Sequence, residues 1–97
     1  MGADEFFTQS FGKTAEEAFK SARDEALHDY GHRGYTGSIA EKQRFTLISV
    51  PPECDDPQGF AQELLDKFDP RVDDKWGPAG CISLGDDRWL FFGWASS

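Results

Sequence analysis

The sequence predicts one α+β domain, residues 1–97, with element order β-α-β-α-β-β. Its four-stranded sheet, antiparallel or mixed, is expected to carry two helices on one face. Three observations predict this fold. Two stretches repeat apolar residues at helical spacing, each behind a capping side chain. Four others are short apolar or alternating runs, bounded by glycines, prolines and paired acids. A length of 97 residues leaves room for one core. Hydrophobic content is only 38%, but 14% of the chain is aromatic, so nine Phe and three Trp carry the core. That aromatic load argues against disorder despite 29% charged residues.

Residues 4–11 form the first strand, with a blurred face because Phe6 and Phe7 are adjacent. Gly12-Lys13-Thr14 then turns the chain into a helix that runs to about Tyr30. Thr14 is its N-cap, and Glu17 three residues on completes a capping box. Ala15, Ala18, Phe19, Ala22, Ala26, Leu27 and Tyr30 line one side, and the alanines allow close approach to a sheet. Gly31 is the expected stop. Residues 43–50 alternate as a strand that Pro51-Pro52 ends. Asp56 caps a second helix over residues 57–68, with Pro57 at its first position and Phe60, Ala61, Leu64, Leu65 and Phe68 as its apolar stripe. Residues 70–80 read as an irregular loop. Residues 81–84 form a short strand, Gly85-Asp86-Asp87 a hairpin turn, and residues 88–95 the last strand. Residues 89–94, Trp-Leu-Phe-Phe-Gly-Trp, are apolar on both faces. One face should cover the helices, and the other is expected to meet a second subunit, making a homo-oligomer.

The net charge of −8 disfavours general nucleic-acid binding, which needs a basic stripe. It suits a basic partner surface, and it leaves room for one small anionic ligand in a locally positive pocket. The start of the chain has no apolar leader, and no run approaches a bilayer's thickness. A cytoplasmic protein with reduced Cys54 and Cys81 and no membrane contact is therefore expected.

Residues 31–42 concentrate the polar chemistry. Gly34 and Gly37 can turn successive backbone N–H groups into an anion nest. Arg33 and Lys42 can neutralise phosphates, Tyr35 can stack on a base, and Thr36, Ser38 and His32 can contact phosphate or ribose oxygens. The same composition also suits a capped helix end followed by a connection. No metal or cofactor is expected. His28 and His32 are four apart, but Gly31 should end the helix between them. Asp55-Asp56, Asp73-Asp74 and Asp86-Asp87 lack calcium-loop spacing and read as turn chemistry. Gly12-Lys13-Thr14 lacks the preceding glycine of a phosphate-binding loop, Phe7 standing in that place. Trp76, on its Gly/Pro-rich loop, is the tryptophan best placed to cover a ligand. Ser38 and Cys81 lack the flanking pattern of a nucleophile elbow, so a non-enzymatic role is favoured.

The segment Gly34-Tyr35-Thr36-Gly37-Ser38-Ile39-Ala40-Glu41-Lys42, behind Ala15-Glu16-Glu17-Ala18-Phe19 and Tyr30-Gly31, resembles a family of small, largely uncharacterised proteins of bacteriophages and some prokaryotes. The match covers about residues 10–50. It implies action against a host defence system, in one of two modes. A sponge would hold a small phosphorylated nucleotide, of cyclic-nucleotide or ADP-ribose type, on the glycine loop. An inhibitor or nucleic-acid mimic would cover a host protein with its acidic surface. A third reading is a small nucleotide hydrolase using His28 or His32 with Glu41.

Overall fold

A computed structural model describes residues 2–30 and 36–96, apart from the side chain of Tyr30. Its strands are β1 (Ala3–Phe11), β2 (Phe45–Leu47), β3 (Ala79–Gly85) and β4 (Arg88–Ser96). Its helices are α1 (Ala15–Tyr30) and α2 (Pro57–Asp66), with a single 3₁₀ turn at Ile39–Glu41. The class and element order are those the sequence predicts. Among the described residues no helix is long and apolar enough to cross a membrane.

Local chemistry sets the helix ends. The Glu17 amide donates to Thr14 Oγ1 at 3.1 Å, the N-cap half of the expected box, while Glu17 Oε2 reaches one residue further back to accept the Lys13 amide at 3.2 Å. Asp56 accepts the Gly59 amide at 3.1 Å at the head of α2. That helix stops two residues short of the predicted end. The Phe68 amide donates to Leu65 O and the Asp69 amide to Leu64 O, which is a Schellman closure. It puts Phe68 at φ 54°, a left-handed position that glycine usually takes. The exposed Phe68 ring lies flat on Trp94, with centroids 6.1 Å apart.

The sheet is mixed, with order β1-β4-β3-β2. Strand β4 pairs antiparallel with both β1 and β3, and β2 runs parallel to β3. The predicted strand over residues 43–50 contracts to three residues. β2 is an edge strand beside β3, where Phe45, Thr46 and Leu47 pair in register and only the Arg44 carbonyl and Ile48 amide add flanking bonds. β3 begins at Ala79 instead of residue 81, because Ala79 pairs with Phe45.

The two helices do not share a face, as the sequence reading had expected. Alternation along β4 divides the core into two clusters. Phe91 and Ala95 join Phe6, Cys81 and the alanine side of α1. Leu90 and Phe92 join Ile82, Val72 and the Ala61, Leu64 and Leu65 stripe of α2. Each helix therefore covers one face, and β4 lies in the interior of a three-layer sandwich. This corrects the reason given for an oligomer through the last strand: α2 of the same chain covers the second aromatic face. Gly80 makes that packing feasible, since a Cβ there would come within 2.5 Å of the Phe92 ring.

Asp86 and Asp87, at φ 54° and 61°, are the two central residues of the β3–β4 hairpin. This is a type I′ turn, in which both positions favour Asn and Gly. Replacing the pair by Asn-Gly should stabilise the fold by about 1 kcal/mol, seen as a rise of roughly 4–8 °C in the thermal midpoint. An unchanged or lower midpoint would contradict the turn assignment.

Candidate functional site

The described part of the glycine-rich segment is built as an interlocked turn. Ser38 opens the 3₁₀ turn at Ile39–Glu41, its Oγ accepting the Ala40 amide at 3.2 Å. Glu41 reaches back to accept both the Thr36 amide, at 3.0 Å, and Thr36 Oγ1, at 2.8 Å. Thr36 Oγ1 and Ser38 Oγ lie 2.7 Å apart. Gly37 takes φ 69° and donates its amide to Ser96 O at 2.8 Å, tying the turn to the end of β4. The hydroxyls that could have faced a phosphate thus bond to one another and to a carboxylate.

Lys42 departs most from its expected role. Its side chain is 1% exposed and runs inward from the end of the 3₁₀ turn. The ammonium donates to Gly77 O at 3.0 Å and to Asp74 O and Lys75 O at 3.2 Å. Those three carbonyls match its three donors. The stem passes Gly93, where a Cβ would stand 3.7 Å from Lys42 Cε. Burial lowers the Lys42 pKa to about 8; nearby Asp74 opposes the shift and Arg44 adds to it. Lys42 is therefore a clamp between the 3₁₀ turn and the loop before β3, and is not available to neutralise a bound phosphate. It also anchors that loop, which is irregular up to β3 as the sequence predicts. Val72 seals into the core beneath it, and Asp74 Oδ1 accepts the Trp76 amide at 2.8 Å.

Thr36, Gly37, Ser38 and Lys42 are thus close along the chain but do not converge on one ligand. His32, Arg33, Gly34 and Tyr35, and Gly31 as the helix stop, lie outside the described residues. His28 is exposed in the last turn of α1. Asp56, Asp74 and the Asp86-Asp87 pair serve as cap and turn residues. No group of three or more metal-ligating side chains occurs among the described residues. Cys54 and Cys81 are free thiols; Cys81 is buried beneath α1, and burial raises its pKa to about 12, so it offers no thiolate. Trp76 is exposed, with the Lys75 ammonium 5.4 Å from its ring centroid, and borders a small hollow with Gln43 and Arg44.

A larger groove, about 330 Å³, runs between β1 and α1. Residues 6–9 form one wall, and because consecutive residues line it, the edge of the strand itself faces the groove. Ala22 and Ala26 form the helical wall, and Gly37, Ser38 and Ile39 close one end. Glu25 and Asp29, on α1, supply its charge, while the Glu5 carboxylate turns to the opposite face of the sheet. Glu5 accepts Gln62 Nε2 at 2.8 Å. The described ion pairs, Lys67–Glu63 and Arg71–Asp69, lie elsewhere, and no described cation pairs with Glu25 or Asp29. This is a negative trough, the opposite of an anion nest. Sequence reasoning missed it, although a signal was present: Ala22, Glu25, Ala26 and Asp29 recur at helical spacing, small residues alternating with acids.

No protein-family model matches the chain, and no curated protein or solved structure is detectably similar to it.

Proposed function

We propose that this is a non-catalytic binding protein that docks a basic surface of a partner protein on the groove between β1 and α1. The observation that carries this reading is the pair Glu25 and Asp29 on the groove's helical wall, with no described cation paired to either. The net charge of −8 supports it by steering basic partners to the surface. A nucleotide sponge is less well supported. The Thr36 and Ser38 hydroxyls and the Lys42 ammonium already have partners, and the carboxylates nearby would repel phosphate. On the resemblance of residues 10–50 to small phage proteins, the partner would be a host protein and the compartment the host cytoplasm.

The test is a titration with a lysine-rich peptide, followed by anisotropy at rising salt. Affinity should fall steadily between 50 and 200 mM salt, as screening shortens the reach of exposed charges. Glu25→Gln with Asp29→Asn should weaken binding about tenfold at low salt, two exposed pairs contributing up to roughly 1.4 kcal/mol together. Unchanged affinity in that double variant, or tight uptake of an ADP-ribose-type or cyclic nucleotide instead, would overturn the proposal.

A further inference from the structure

We infer that the partner segment binds as an added β-strand: an extended basic peptide pairing with the outer edge of β1. This rests on the acidic-groove reading above and adds the conformation of the bound segment.

The two edges of the sheet are treated very differently. β2 closes one edge with three residues, too short to template another chain. β1 closes the other with nine, in unbroken register with β4 from Ala3↔Ser96 to Phe11↔Arg88. Such an edge normally carries a proline, a lysine, a bulge or a covering element. The sequence of β1, ADEFFTQSF, has neither proline nor lysine, carries its only charges, Asp4 and Glu5, at its start, and its ladder has no bulge. No described strand pairs with its outer side. Alternate backbone N–H and C=O groups of a strand paired on one side point away from that partner. In β1 they point along the groove, whose opposite wall is α1.

A groove between an edge strand and a helix is the geometry of strand addition, where main-chain bonds give affinity and alternate side chains give specificity. Ala22 and Ala26 keep the helical wall low enough for a backbone to lie beside the strand. Glu25 and Asp29 stand one helical turn apart on that wall, in reach of basic side chains on the bound strand. The charge also selects the occupant. A second copy would bring its own −8 and its own Asp4 and Glu5 to the same edge, so self-pairing is opposed while a basic strand is attracted.

The probe is a nine-residue peptide alternating Lys with Val or Thr, compared with the same peptide N-methylated at alternate amides. The unmethylated peptide should bind and slow hydrogen exchange at alternate amides of residues 5–9. Methylation on the pairing edge should cost at least tenfold in affinity. Equal binding by both peptides would overturn strand addition while leaving acidic docking intact. Binding that ignores Glu25→Gln with Asp29→Asn would overturn the groove reading itself. Binding by neither peptide would overturn both. A concentration-dependent dimer of the protein alone, with residues 5–9 protected, would assign the edge to a second copy and overturn the basic-strand inference.

Discussion

Lys42→Ala should lower folding stability by about 3 kcal/mol. Two losses combine. The carbonyls of Asp74, Lys75 and Gly77 lose a charged donor, and the buried stem beside Gly93 leaves a void. Relief of the buried charge offsets part of this, which is why three hydrogen bonds do not add up to their full gross value. Lys42→Met refills the void and should recover about half the loss. Protonation gives a second readout. The Lys42 pKa is about 8 in the folded protein, below its ordinary value of 10.5. Between those values the unfolded chain holds the proton and the folded chain does not. Stability of the native protein should therefore rise with pH across that window, by up to about 3 kcal/mol relative to Lys42→Met. Urea unfolding of both proteins from pH 7 to pH 10 measures it. A loss under about 1 kcal/mol for Lys42→Ala would contradict the clamp, and parallel pH profiles would contradict the lowered Lys42 pKa.

Phe91→Ala should cost about 4 kcal/mol. Phe91 is 0% exposed at the centre of a ring cluster, its centroid 5.4 Å from that of Phe19 and 5.9 Å from that of Phe45. Phe19 and Phe45 are themselves 5.1 Å apart, so one truncation removes two of three aromatic contacts and opens a void between α1 and the sheet. Phe68→Ala is the contrasting case. The Phe68 ring is 64% exposed with a stacked contact to Trp94, and its loss should cost less than about 1 kcal/mol. Similar losses for the two would mean that Phe91 is not the centre of a packed ring cluster.

Much of the fold was legible because its boundaries are written in local chemistry. Thr14 with Glu17, Asp56 before Pro57, and the Asp86-Asp87 turn act within a few residues, and each marks an end that the structure keeps. The placement of the helices on opposite faces was not legible in the same way. Residues 89–94 are apolar on both sides, and that pattern does not say whether α2 or another chain covers the second one. The candidate site was legible only as a concentration of polar residues. Lys42 beside Glu41 and Ser38 reads as a ligand contact until its three carbonyl acceptors, more than thirty residues away, are known. The acidic groove was hidden for a related reason. It needs the edge of β1 laid beside α1, which brings residues 6–9 next to Glu25 and Asp29 from well along the chain.

The most direct test of where function resides is an amide chemical-shift map of the native protein, titrated first with the alternating lysine peptide and then with an ADP-ribose-type nucleotide. The peptide should move residues 5–9 together with Glu25 and Asp29, and the nucleotide should leave the spectrum unchanged. Shifts centred on residues 36–42 with the nucleotide, and none at the groove with the peptide, would contradict the groove reading.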